Sequence, residues 1–386
     1  MELTIKVSNI MNKESAGNDL YEHRIIRIPA DVRKKYNFHL NEFIYLRDKY
    51  GGIITLQVTE AFKEDVIINP TCGYVTENNY KKLLLKSNDF SEVTKVAGIT
   101  LGCDPEAFLV DNTTGNLVAA HRFLKKHGDV GHDGLLLEFR PLPSTNETVV
   151  TANIANLIKK AREVLKLFPE GNKISMIGGS SYKGLTAGFH LHYGLPRDLL
   201  VRSPMTTTIA RLMTKAFDYY IGVPSIIPEG SEDHSRRTTQ YVEYGKPGGY
   251  RMDNRTFEYR LPGGINLRHP CLTRGLMALG AVVVEDLVSR VRTSTDFFSN
   301  LKEVASDDDL MTFYPNLPSV ETLYATICNP EISLAREHFE IIKKDVRQMI
   351  GYKERSDSVE SYFSCIDHSV KYDANLEHNW GGFSNA

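Results

Sequence analysis

From Ala97 onward, apolar and polar positions alternate with period two in a series of short runs. GITLGCDPEAFLVD, LLLEFRP, KISMIGG, AGFHLHYG, TQYVEYG and TFEYRLP each read as a β-strand with one apolar face. Between them the period lengthens to that of helices, over about 147–167, 206–220, 272–291 and 334–350. Val149, Ile154, Leu157 and Ile158 keep helical spacing, as do Phe339, Ile342, Val346 and Ile350, and Gly351 stands where a helix C-terminal glycine belongs. Earlier runs at 24–28, 42–46 and 53–58 are strand-like and separated by turn signals such as Tyr50-Gly51-Gly52. The pattern predicts an α+β protein in three parts. These are a small β-rich module over 1–95, a main domain over 96–372, and a polar tail over 373–386 that Trp380 would anchor.

Four strands carry two reactive polar residues at i and i+2, which places both on one face. The pairs are Asp104 and Glu106, Glu138 and Arg140, His190 and His192, and Glu258 and Arg260. Apolar residues hold alternate positions: Leu137 and Phe139, Phe189 and Leu191, then Phe257, Tyr259 and Leu261. Such strands build an antiparallel sheet packed on helices by one face. A solvated sheet face also alternates, but it is typically filled with Thr, Lys, Ser and Gln. Ionisable groups gathered on one face repel unless ions or substrates neutralise them.

Composition narrows the picture. The 386-residue chain is 41% hydrophobic and 24% charged, ordinary for a globular protein, and long enough for two or three structural units. A net charge of −2 argues against general nucleic-acid binding. The five cysteines (Cys72, Cys103, Cys271, Cys328 and Cys365) are scattered and form no CxxC pair, which points to a reducing, cytoplasmic setting. No apolar leader or membrane-length stretch is expected.

The inventory suits phosphoryl chemistry. Carboxylates at Asp104, Glu106, Glu138 and Glu258 are ligands for Mg²⁺, and a histidine among them also suits Mn²⁺. Arginine forks match phosphates and carboxylates. There is no GxxxxGK[ST] and no GxGxxG. His190-x-His192 alone would be a weak zinc signal without HExxH or suitable cysteines. His121, His127, His132 and His234 read as surface or core histidines, Met213 and Met277 as core filler. Cys103 falls on the opposite strand face from Asp104.

The order of motifs resembles a known superfamily. GCDPEAFLVD resembles a metal-binding strand of glutamine synthetases, with Asp104 in place of the more usual glutamate; AGFHLHYG resembles their GxHxH strand; TFEYRLPGGINLRHP resembles their ExR-containing segment, with Asn266 and Pro270 echoing an NPY element. The closer resemblance is to the phage-type COOH–NH2 ligases of the glutamine synthetase and glutamate–cysteine ligase superfamily. It runs through Asp104-Pro105-Glu106, Gly131 to Pro141, Gly188 to His192, Tyr244 to Arg251 and Glu258 to Pro262.

That resemblance implies a glutamine-synthetase-like curved antiparallel sheet with helices on its convex face. It implies metal ligands at Asp104, Glu106, Glu138, His190 and Glu258, with Asp133 beside Glu138. His192, Arg140, Arg236 and Arg237 would face ATP, and Arg260, Arg251 and Glu258 the transferred phosphoryl group. The implied reaction is ADP-forming, Mg²⁺- and ATP-dependent joining of a small-molecule or peptide carboxylate to an amine through an acyl phosphate, in the host cytoplasm if the phage likeness holds. Homo-oligomerisation is left open. Two other readings share the fold: a kinase of the creatine and arginine kinase type, and an inactive structural or binding descendant.

Overall fold

The computed structural model describes residues 3–8, 25–40, 43–47, 53–61, 72–75, 90–95, 99–195, 203–238, 244–253, 256–293, 313–329 and 332–381. Part of the expected strand TQYVEYG lies outside them. The chain divides into two compact units. One comprises 1–100 with the short segments 127–129 and 142–145, and the other holds the remainder.

In the first unit, six strands close into a barrel: β1 (Leu3–Ser8), β2 (Ile25–Ile28), β3 (Phe43–Arg47), β4 (Ile53–Glu60), β5 (Gly73–Tyr74) and β6 (Phe90–Lys95). Their order is β1-β5-β2-β4-β3-β6, with β1 parallel to β5 and β2 parallel to β4. The single helix described here, α1 (Ala30–Tyr36), is ended by Asn37 in the left-handed conformation. Ile26, Ile28, Val32, Phe38, Ile44, Leu46, Leu56 and Val58 fill the barrel core.

The second unit is α+β and built on a large sheet. Its central strand is β7 (Thr100–Asp111), followed by β8 (Leu117–Val118), β9 (Val130–Asp133), β10 (Leu136–Phe139) and β11 (Ile174–Ile177). A separate hairpin, β12 (Ser181–Tyr182) and β13 (Leu185–Thr186), precedes β14 (Phe189–Gly194), β15 (Tyr250–Asp253) and β16 (Thr256–Tyr259). The sheet runs β15-β16-β14-β7-β10-β9, with β8 and β11 also paired antiparallel to β7. β10 pairs antiparallel with β7 and β9, and β16 with β14 and β15.

Helices α2 (Glu147–Leu165), α3 (Ser203–Phe217) and α4 (Pro270–Thr293) pack on the sheet, α5 (Val320–Cys328), α6 (Ser333–Val346) and α7 (Tyr352–Asp367) pack on other helices, and α8 (Leu376–Trp380) packs on α2 and β11. The Asn146 side chain caps α2 by accepting from Thr148 N at 2.8 Å. Phe217 meets Tyr193, Phe257 and Tyr259 edge to face, and Tyr193 donates to Met277 O at 3.1 Å. Met213, Met277 and Cys103 are buried.

One helical stretch departs from the sequence pattern. Helix α6 closes at Val346, and Gly351 (φ 85°) instead leads into α7, which the polar look of YKERSDSVESYFSCID concealed. Helix α7 packs on α4, where a Cβ at Gly275 would collide with Tyr362 and stand 2.9 Å from Ser358 O. The C-terminal segment is docked through Trp380, which is 1% exposed and donates to Leu267 O at 2.8 Å. No helix among the described residues is long and apolar enough to cross a membrane.

Candidate active site

Register aligns the reactive pairs. Glu138 on β10 lies directly opposite Glu106 on β7, and Glu258 on β16 lies between His192 on β14 and Arg251 on β15. Directly opposed residues share a sheet face, so these five side chains stand on the face opposite Leu137, Leu191 and Phe257.

At the centre is Asp104. Its Oδ1 lies 3.0 Å from His192 Nε2 and 3.4 Å from His190 Nδ1. Burial would raise its carboxyl, but charge on His192 and His190 outweighs this and holds it far below the usual carboxylate range. Asp104 Oδ1 and His192 Nε2 are both buried and, despite their proximity, neither has an aligned hydrogen bond. Together with a Glu258 oxygen they form three ligand atoms within 4.8 Å of one another. Two carboxylate oxygens and one imidazole nitrogen fit a divalent cation such as Mg²⁺ or Mn²⁺. His190, the histidine expected as a ligand, lies directly beside this group. His190 sits 3.8 Å from Glu258 Oε1, and its pKa is raised because Asp104 overcomes the cost of burial.

Glu258 is 3% exposed and carries two guanidinium groups, Arg260 Nε on Oε1 and Arg251 Nη2 on Oε2, each at 2.6 Å. Glu138 is bonded to Arg140, and both are buried. Glu106 accepts from Gly188 N at 2.5 Å, while burial raises its pKa against the pull of His190. A side chain at Gly188 would lie 2.5 Å from His190 Nε2 and 3.0 Å from Arg236 Nη2, which accounts for the glycine of the GxHxH strand. Asp133 is exposed at the end of β9, two strands from β7, and lies outside the three-ligand group.

The adjacent arginines Arg236 and Arg237 diverge. Arg237 is closed on Glu229 (Nη2 to Oε1 at 2.5 Å) and donates to Gly245 O and Leu261 O at 2.8 and 2.5 Å. These partners hold the guanidinium that the resemblance places at ATP. Arg236 donates to Arg260 O at 3.2 Å, but its buried Nε has no partner. Burial, then Arg237, lowers its pKa to about 10. Arg236 therefore remains as a cation near Glu106 with a donor to spare.

Two contributors were not legible as site residues. Tyr244 places its ring 4.7 Å beneath the Arg260 guanidinium and 6.1 Å from the His190 ring. Asp218 opens a π-helical turn, Asp218–Gly222, after α3. It accepts from Tyr259 OH and from Gly248 N, each at 2.8 Å, and so ties the Tyr244–Gly249 loop to the core. The only hint in the sequence was an acid inside an apolar helical pattern.

Burial raises the Asp218 carboxyl to about 7, against the opposing hydrogen bonds from Tyr259 and Gly248. Because the folded pKa exceeds the unfolded one, its contribution to stability is full below about pH 4 and is lost as pH rises through about 7. Asp218→Asn is expected to flatten the stability slope between about pH 4 and 7 and to raise stability at the upper end by roughly 1–3 kcal/mol. Urea melts at both pH values check this; an unchanged slope assigns the pH dependence elsewhere.

The family comparison bears on this same segment. The family described as "Phage phiEco32-like COOH.NH2 ligase-type 2" matches residues 101–323, more than half of the chain. The chain belongs to that family. All the residues placed above on the reactive face, from Asp104 to Arg260, fall inside the matched span of this ligase family. Among solved structures, the glutathione synthetase of Pasteurella multocida, a bifunctional enzyme, aligns at 12% identity and TM-score 0.44, over 74% of this chain and 49% of its own. The chain thus spans about half that synthetase's length. Apo GmaS without ligand aligns at 12% identity and TM-score 0.35, over 82% of this chain and 96% of its own. The rationally designed mkDPBB_sym1 protein aligns at 20% identity and TM-score 0.20, over 25% of this chain and 100% of its own. No curated protein matches this family member.

Proposed function

We propose that this ligase joins a carboxylate to an amine at the expense of ATP, releasing ADP and phosphate, on a curved glutamine-synthetase-like sheet. The observation that carries the reading is the grouping of Asp104, His192 and Glu258 ligand atoms within 4.8 Å, beside two arginines on Glu258. Those three residues would hold Mg²⁺ or Mn²⁺, with Glu106, Glu138 and His190 beside them and Asp133 at the sheet edge. A bound divalent cation would supply charge neutralisation for the nucleotide phosphates.

The protein's own groups orient and neutralise. Arg260 and Arg251 present planar donors where charge builds up on the phosphoryl group, and Arg236 offers its spare Nε at the Glu106 end of the site. Arg140 is held by Glu138 and would reach ATP only by leaving it. The substrate carboxylate attacks the γ-phosphorus, the P–O bond to ADP breaks, and an acyl phosphate results. The amine then attacks the acyl carbon, the C–O bond to phosphate breaks, and phosphate departs with the proton that the nitrogen gives up. Such chemistry is carried by positioning and electrostatics, so no activated serine or cysteine is required.

Purified protein with ATP, Mg²⁺ and pools of carboxylates and amines is expected to release ADP and phosphate and to form an amide. AMP as the sole nucleotide product would overturn the acyl-phosphate step. A stable phosphorylated product without an amide would instead identify a kinase.

A further inference from the structure

Away from the sheet face, two thiols meet. Cys271 lies in the first turn of α4 and Cys365 near the end of α7, and both are partly exposed. Their Sγ atoms are 2.9 Å apart. Helix proximity explains the meeting: Gly275, one turn beyond Cys271, lets α7 approach where any side chain would strike Tyr362.

The surroundings of the two sulfurs differ. Cys365 Sγ lies 3.0 Å from the Tyr372 hydroxyl, which can donate to a thiolate there. Cys271 Sγ lies 3.4 Å from Ser361 O, an acceptor that retains a thiol proton. Tyr372 is fixed by stacking on His269 at 4.0 Å and 15°, and His269 Nδ1 in turn accepts from Cys271 N at 3.1 Å. The contacts with Cys271 and Tyr372 hold Cys365 down to about 6, against burial, while the contact with Cys365 pushes Cys271 up. The other cysteines lack this setting: Cys72 and Cys103 are buried, and burial raises the thiol of Cys328.

We propose that Cys271 and Cys365 form a hydroperoxide-reactive dithiol that closes into a disulfide between α4 and α7. The Cys365 thiolate attacks one peroxide oxygen; the S–O bond forms, the O–O bond breaks, and the departing hydroxide takes a proton to leave as water. Cys271 then attacks the sulfenic sulfur; the S–S bond forms, the S–O bond breaks, and the thiol proton leaves with the second water. Two electrons pass from the thiol pair to the peroxide. Closure links positions 94 residues apart and restricts the unfolded chain, so it raises Tm.

The test uses the full chain, reduced, desalted and treated with hydrogen peroxide at a small molar excess. The expected result is an intact mass lower by two hydrogens, a single Cys271–Cys365 cross-link in a non-reducing peptide map, and a Tm higher by several degrees that dithiothreitol reverses. Cys271→Ser is expected to stop the cross-link and leave a dimedone-trappable sulfenic acid on Cys365. A folded wild-type protein that keeps five thiols under conditions that oxidise free cysteine would overturn the proposal. A first oxidation at Cys328, or a cross-link to any other cysteine, would do so as well.

Discussion

Glu258→Gln is expected to lower ADP release by about 10³-fold or more, equivalent to roughly 4 kcal/mol of lost transition-state stabilisation. The substitution keeps shape and volume but removes a charge from the group Asp104, His192 and Glu258. A hard cation needs that charge, so Mn²⁺ titrated calorimetrically into the nucleotide-free variant should bind at least about ten times more weakly. The effect on stability depends on what surrounds the carboxylate. A cluster of bare carboxylates would relax on losing one. In the structure, however, Glu258 is buried beneath Arg260 and Arg251 and neutralises both. The variant turns an amide N–H toward one guanidinium and leaves half-buried Arg260 without its counter-charge. Metal-free stability should therefore fall by about 1–3 kcal/mol. Wild-type turnover combined with that loss would make Glu258 a purely structural ion-pair partner and remove it from the active site.

Much of the candidate site is legible in the sequence, for a definite reason. Period-two alternation in FHLHYG and TFEYRLP fixes which side chains share a face, and that depends on the strand backbone alone. Register does not. Both histidines of β14 stand on the same face, so only the placement of β14 beside β7 decides that His192 joins Asp104 and Glu258. The pairs Glu138–Arg140 and Glu258–Arg260 read as acids for metal and bases for phosphate, yet each is also an ion pair along its own strand. Arg236 and Arg237 are neighbours of one type, and their divergence rests on Glu229, which no local pattern marks. Barrel strands at 25–28, 43–47 and 53–60 were visible, whereas closure through β1, β5 and β6 joins residues far apart in sequence. Helix α7 was missed although Val359, Tyr362, Phe363 and Ile366 carry helical spacing, because its other positions are polar.

Arg260→Lys carries the second large effect, and it separates a chemical role from a structural one. Arg260 Nε bonds Glu258 Oε1 at 2.6 Å, and its guanidinium lies over the Tyr244 ring. Burial opposes its charge, but Glu258 outweighs it and raises the pKa, so both arginine and lysine stay cationic here. Lysine retains the charge and one contact to Glu258, so stability should change by no more than about 1 kcal/mol. What it loses is the planar fork, whose donors point in fixed directions, and its place over the Tyr244 ring. If that fork serves the phosphoryl group during transfer, Mg–ATP affinity should stay within about threefold while turnover drops roughly 10²-fold. A fork that only supports Glu258 predicts the opposite pattern, with near-normal turnover and weakened metal binding. Nucleotide affinity, Mn²⁺ affinity and ADP release measured on the same preparation distinguish the two. Normal ADP release in Arg260→Lys would take Arg260 out of the reaction and leave Arg251 and Arg236 to neutralise the phosphoryl charge.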